Sequence, residues 1–560
     1  MPDLAEAAIQ SDLGNGWRNQ GDMARAEHCY RLALALDPGF AIAHTNLGSL
    51  CVALWQAERA IACLWRTVLL APYSGQAWAD FADVMTSCGD KSMAVAVCRV
   101  ALCLAPSDDR GWTAQGVALN DLGQQQAALI CYRRALAAEP QHMHAHSNLG
   151  CLLTDLLRPE EAARHCKAAL VVAPAMFAAL CNHGNALTDL QDLPSALSAW
   201  RRAMRLDPAD AVMWNGYGNS SRAAGLMDQA VHAFRTARCL DPGYTDPGYN
   251  ESLTHLSRGD LALGLRLYEG RYRGRRPILA PRPFRRPQWT GQDLAGRHLL
   301  IHAEQGYGDS FQFCRFVAMA AARAARVTLE VPRPALRLFS TLAGSHCLIA
   351  GGDPLPDFDY HCPMMSLPHA LGLDLASLPA FAPYLAAEPE RVAYWRERLG
   401  EDGFKIGIVW QGAPGSRIEM GRSAPLAAFA PLGRIPGVRL ISLQKRFGLD
   451  QLEQLPDGMR VETLGEDFDE GGGAFLDSAA VLMSLDLVVT VDTAIGHLAG
   501  ALGRPVWTAL QKSPHWVWLL EREDTPWYPS ARLFRQTKAG DWAELFEHMA
   551  ETLRGQGAGG

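Results

Sequence analysis

Lysine is nearly missing from this chain: of 52 basic residues only six are lysine, and the rest are arginine. Acidic residues number 59, so the formal net charge is −7 and the pI about 6.2, which leaves no whole-chain attraction for nucleic acid or anionic lipid. No apolar run approaches the ~20 residues that a membrane span needs. The first residues, MPDLAEAAIQSDLG, lack the basic and apolar regions of a secretory leader, so a soluble, cytoplasmic protein is expected. Cysteine is not scarce, at 14, but no C-x-x-C pair occurs and eleven of the cysteines fall before residue 240. Cys98 and Cys166 stand where bulky core residues stand elsewhere, so reduced packing thiols are expected rather than disulfides.

A fixed interval is abundant instead. Pro38, Pro72, Pro106, Pro140, Pro174, Pro208 and Pro242 are spaced by 34, the period of tetratricopeptide repeats. Twelve residues before each lies an alanine (Ala26 to Ala230), and twelve before that Gly14, Gly48, Ala82, Gly116, Gly150, Gly184 or Gly218. Two helices approach closely only where side chains are small, and Tyr30, Leu64, Tyr132, Trp200 and Phe234 supply the bulk between them. Proline then ends the second helix of each pair. An eighth, degenerate unit at 245–274 keeps the phase through Asn250, Gly259 and Tyr268 and reads as a cap. His142, His144 and His146 invite a metal reading, but His146 takes the repeat position of Trp78, Trp112 and Trp214, so packing is expected and no metal site is assigned.

The fold expected is therefore an α tetratricopeptide superhelix followed by an α/β part. Residues 1–274 form the array, 275–296 an Arg/Pro-rich linker lying as a strap, 297–390 one Rossmann-like lobe and 391–560 a second. Strand-like runs are read at 298–304, 326–332, 346–350 and 359–363, then at 405–410, 439–444, 460–464, 486–491, 505–510 and 531–536.

Loops after these strands hold the chemistry. Gly306 and Gly308 let backbone approach a ligand, and Asp309 is either a helix cap or a base that takes a proton from an acceptor hydroxyl. Glu304 or His302 is the alternative for orienting that acceptor. Asp492, Thr493 and His497 precede or open a helix whose free amides suit a phosphate, while the same residues in a bland reading merely cap and pack. Gln411, Arg422, Gln444 and Lys445 follow strands of the second lobe, and the two cations either neutralise a phosphate or are solvated. Ser513–Trp518 either closes on the donor or packs under the cleft, and its two tryptophans favour packing.

HAEQGYGDSFQFCRF, SLQK, VDTAIGHLAGALGRPVW and REDTPWYPSARLFRQ together resemble bacterial tetratricopeptide proteins with a carboxyl-terminal GT-B glycosyltransferase module, related in pattern to lipopolysaccharide heptosyltransferases. The resemblance implies an inverting, metal-independent transferase without cofactor, using a CMP- or UDP-linked sugar donor. It maps the proposed base onto Asp309, beside Gly308, and matches Asp492, Thr493 and His497 to the family's D-T-x-x-x-H-L-A segment; the loops themselves add Glu304 to catalysis and Gly306, Gly308, Gln411, Arg422, Gln444 and Lys445 to the donor contacts. It also implies a protein acceptor, with flagellin as the family example, modified on Ser or Thr and held by the array. A partial asparagine ladder, Asn46, Asn148 and Asn182, would grip that acceptor; Asp12 and Asp80 share its repeat position, and Ala114 and Gly216 depart from it. Trp410-Gln411-Gly412-Ala413 replaces the family's W-x-G-N. A glycan- or lipid-linked acceptor, or a non-catalytic scaffold, is the alternative.

Overall fold

The computed structural model describes residues 2–273, 278–379, 383–415 and 419–557. The chain divides into two compact units, 1–208 and 209–560.

The first unit is a stack of six helix pairs, from Pro2–Asn19 with Met23–Leu36 to Phe177–Asp189 with Leu193–Leu206. Its small residues work by direct contact. A Cβ added to Gly14 or Gly116 would stand 2.5 Å from the ring of Tyr30 or Tyr132, and one added to Gly184 2.5 Å from Trp200. In the third pair Ala82 and Cys98 take these two positions and both are fully buried, while a Cβ at Gly150 would run into Cys166 Sγ. Among the described residues the cysteines are free thiols, and burial pushes Cys98 and Cys166 up to about 12. A second device recurs at the 34-residue period. The ring nitrogens of His44, Trp78, Trp112 and His146 lie 3.1, 2.8, 2.9 and 3.0 Å from the carbonyl of the proline six residues earlier. His146 thus does the work of its tryptophan counterparts, and His142 caps its helix at Ala145 N–H, 3.1 Å, while its other nitrogen meets Asp109 at 3.1 Å.

The second unit contains the seventh and eighth pairs, Ala211–Ala223 with Met227–Leu240 and Asp246–Ser257 with Leu261–Tyr268, and the α/β part. The eighth pair, read as a cap, ends the repeats against the α/β part. Leu256, Leu261, Leu265 and Tyr268 share one core with Trp289, Phe311, Phe313 and Trp516, because the pair's apolar face is covered by the first lobe. The compact division accordingly falls after Pro208 rather than near 274. The strap reading holds for the described part of the linker: Trp289 N–H donates to His361 O at 2.7 Å, its ring is fully buried, and Arg282 pairs with Glu330 at 2.6 Å. Residues 275–277 lie outside the described residues.

All ten strand runs are found. In the first lobe β1 (His298–His302), β2 (Arg326–Val331), β3 (Cys347–Ala350) and β4 (Tyr360–Pro363) form a parallel sheet ordered β3-β2-β1-β4. In the second, β5 (Phe404–Val409), β6 (Val438–Ser442), β7 (Val461–Glu462), β8 (Leu487–Val491), β9 (Val506–Leu510) and β10 (Ala531–Arg535) are ordered β10-β9-β8-β5-β6-β7. Both are parallel Rossmann-like sheets whose order reverses beside the first strand, at β1/β4 and at β5/β8. Ligands of such sheets bind outside the carboxyl ends at those switch points. Helix Pro389–Leu399 spans the lobe boundary read at 390.

Candidate functional site

Asp309 is the third residue of helix Tyr307–Phe313. Its Oδ2 accepts from Gly306 N–H at 3.1 Å, so the capping role is real, and the half-buried Oδ1 has no hydrogen-bond partner among the described residues. One carboxylate can serve both purposes, since a cap uses one oxygen. Gly308 lies against the opposite lobe: a Cβ there would be 3.1 Å from His497 Cδ2 and 3.6 Å from Ala494 Cα. The absent side chain is what allows the loop after β1 to meet the helix after β8.

That second helix, Ala494–Ala501, has no side-chain cap. Thr493 instead hydrogen-bonds Thr490 at 2.8 Å, and Asp492, 7% exposed, faces His497 Nε2 at 3.7 Å. Burial alone would raise the Asp492 pKa, but the hydrogen bond and charge of His497, with His515 and Arg422, hold it below the ordinary carboxylate value. His497 is fixed on every side: its ring stacks on Trp518 with centroids 5.1 Å apart, and Nδ1 meets Tyr528 Oη at 2.9 Å. Tyr528 is itself covered by the buried guanidinium of Arg315, 4.7 Å from its ring, which also donates to Tyr384 Oη at 2.8 Å.

His515 completes the cluster. Burial lowers its pKa, while the charges of Asp492 and Asp309 both act to raise it. Sequence reasoning missed it as a functional residue; the signal available was its place just past β9, beside the buried Trp516 and Trp518 that pack as expected.

Other expected residues are placed differently. Glu304 is already paired: it accepts from Arg271 at 2.9 and 3.1 Å, from Met365 N–H at 3.1 Å and from Tyr272, and it lines a cavity of about 400 Å³ with His302, Arg282 and His361. His302 is itself buried, 3.4 Å from His361. Gln444 spends its amide on the backbone of Trp410 and Gln411, at 3.1, 3.1 and 2.9 Å, tying the end of β5 to the end of β6. Gln411 Oε1 accepts from Gln451 at 3.3 Å. Arg422 is paired with Glu419 at 2.6 Å and Lys445 with Glu470 at 2.8 Å, so neither is a free solvated cation. In the array, Asn46 donates to Ser11 at 3.0 Å and Asn182 to Ser147 at 3.1 and 3.2 Å, bonding one repeat to the preceding one. Half-buried Asn148 makes no side-chain hydrogen bond among the described residues.

The loop after β1, with Gly306, Gly308 and Asp309, is thus set against the loop and helix after β8, with Asp492, Thr493 and His497, while His515 and Arg422 act on Asp492 through their charge. Residues 471–538 match glycosyltransferase family 9 (heptosyltransferase). This family 9 segment holds Asp492, Thr493, His497 and His515, and the resemblance read from D-T-x-x-x-H-L-A is borne out there. Residues 113–179 and 181–245 match tetratricopeptide repeats. Protein FlbA of Caulobacter vibrioides is 27% identical over 323 residues, 53% of each chain, so this chain spans about half the length of that relative. Among solved structures, YrrB, a tetratricopeptide protein with an unusual peptide-binding site, is 19% identical with a TM-score of 0.28, covering 33% of this chain and 95% of its own. A tetratricopeptide protein from Parabacteroides merdae is 14% identical with a TM-score of 0.37, covering 45% and 99%. Scores this low carry no argument beyond the repeats themselves. Among the described residues no helix is long and apolar enough to cross a membrane.

Proposed function

We propose that this protein is an inverting glycosyltransferase of GT-B type that moves a sugar from a CMP- or UDP-linked donor to a Ser or Thr hydroxyl of a protein held by the repeat array, with flagellin as the acceptor to test. The observation that supports it best is the contact of Gly308 with His497, which sets Asp309 of one lobe opposite the uncapped helix terminus of the other. In this reading the free oxygen of Asp309 takes the hydroxyl proton as the oxygen attacks the anomeric carbon. The nucleotide leaves as the bond to its phosphate breaks, and the amides at 494–496 with Arg422 stabilise the charge it carries away. Asp492 and Trp518 hold His497 against that terminus, where it orients donor. The array raises the local concentration of the acceptor hydroxyl, and Asn148 is the ladder residue with amide groups to spare.

The test is the intact mass of flagellin co-expressed with this protein in cells that make a nonulosonic acid donor, using wild type and Asp309→Asn. Asparagine keeps an oxygen for the Gly306 amide, so the helix cap survives while the base is lost. A glycan-sized increment with wild type, reduced about 100-fold or more in the variant, is expected. Flagellin that binds the array yet stays unmodified with wild type would turn the reading toward a scaffold or a non-protein acceptor.

A further inference from the structure

Phosphate oxygens are held in proteins by backbone amides, hydroxyls and guanidinium groups that converge from different directions. The segment after β5 builds such a set, and a carboxylate of the same segment fills it. Glu419 Oε1 accepts from Gly412 N–H at 3.2 Å and from the Ser423 hydroxyl; Oε2 accepts from Arg422 Nε at 2.9 Å and from a terminal nitrogen at 2.6 Å. Ser423 also lies 3.1 Å from the Gly412 amide, so the three donors belong to one cradle. Glu419 is only 10% exposed at its side chain. The approach depends on bare backbone, since a Cβ at Gly412 would stand 2.5 Å from Glu419 Oε2 and 2.6 Å from Arg422.

Place matters as much as composition. Gly412 follows the end of β5, at the switch point beside β8, and the charge of Arg422 reaches both Asp492 and His515. An amide, a hydroxyl and a guanidinium are therefore aimed at one anion position at the edge of the site described above. An arginine left unpaired while partly buried is costly, so a chain that must wait for an anionic ligand gains by supplying a substitute anion of its own.

We infer that Gly412 N–H, Ser423 Oγ and the Arg422 guanidinium form a phosphate site for the nucleotide part of the donor, and that Glu419 is an intramolecular stand-in which the donor phosphate displaces. This deepens the glycosyltransferase reading and rests on it. Two anions cannot share the cradle, so binding is possible only in the fraction of molecules whose Glu419 has swung out, and the apparent affinity falls by that fraction. The same fraction lowers the affinity of every ligand that needs the cradle, nucleotide and inorganic phosphate alike.

Calorimetric titration of the full chain with UDP, CMP and inorganic pyrophosphate tests this, using wild type, Glu419→Gln, Glu419→Ala and Arg422→Gln. If Glu419 occupies the site in about 90% of molecules, both Glu419 variants bind nucleotide and pyrophosphate about tenfold tighter than wild type. Arg422→Gln binds about tenfold weaker or worse. Wild type binding nucleotide while both Glu419 variants bind it equally or more weakly would overturn the inference alone, showing Glu419 to be a brace that orients Arg422. Failure of every form, wild type included, to bind any of the three probes would overturn the donor-site reading with it.

Discussion

His302 is 3% exposed, with its ring 5.2 Å from Phe284 and a nitrogen 3.4 Å from His361. Burial, then the charges of Arg282 and His361, push its pKa down to about 3, and burial with Arg282 takes His361 to about 4. The sign follows from the unfolded value of about 6.5: below that pH the unfolded chain takes up a proton that the native ring refuses. Stability is therefore intact above pH ~6.5 and declines as pH falls toward the folded values, by up to about 1.4 kcal/mol per pH unit for His302. His302→Phe should flatten this limb, so that urea unfolding followed by tryptophan fluorescence shows a loss between pH 7 and 5 about 2 kcal/mol smaller than in wild type. An unchanged pH slope would rule out this role for the buried ring. Asp492 has the same sign, in a lower pH window. Its lowered pKa keeps it ionised beside His497, and the stability it contributes is lost only as pH falls through that lowered value.

At the scale of the helix pair, the array sets small residues against larger ones at two positions sixteen residues apart. Gly116 faces the ring of Tyr132 with no room for a methyl, whereas in the third repeat Ala82 and Cys98 hold these positions, both fully buried. Gly116→Ala should destabilise the array by about 1–3 kcal/mol through overpacking, despite the better helix propensity of alanine. Tyr132→Cys alone also costs stability, by opening a cavity. Combined, the two reproduce the third repeat's pairing, and thermal midpoints should reveal a favourable interaction of about 1 kcal/mol or more. Strict additivity would mean that the helices shift to relieve the clash and that size matching does not set their spacing.

For the molecule as a whole, the decisive boundary lies inside the repeats. Leu256, Leu261, Leu265 and Tyr268 belong to the core of the first lobe, and Arg271, fully buried, pairs with Glu269 and Glu304 at 3.0 and 2.9 Å. A chain beginning at residue 275 would leave that apolar surface bare and Glu304 buried without its guanidinium, a loss of about 3–5 kcal/mol for the ion pair alone. Fragment 209–560 should accumulate as soluble, trypsin-resistant protein, and fragment 275–560 should be insoluble or rapidly digested. Equal resistance of both would show that the eighth pair is dispensable to the lobe.

Much of this was legible along the chain. The 34-residue period, the glycine and aromatic positions and all ten strands are local patterns, set by helix contact distance and by short β-rich runs between helical stretches, so the sequence by itself determined the repeats and both sheets. Asp492, Thr493, His497 and Asp309 were readable because each follows a strand at a loop. Tertiary structure alone decided which of these loops meet. It set Gly308 against His497, placed His515 where the charges of both carboxylates act on it, and closed Glu419 over Arg422. It also engaged Glu304 and Gln444 in hydrogen bonds to neighbouring protein groups and drew the last helix pair into the lobe core. The reason is that a side chain's partners come from segments far apart in the chain: period and propensity specify elements, whereas burial and charge compensation specify which elements must touch.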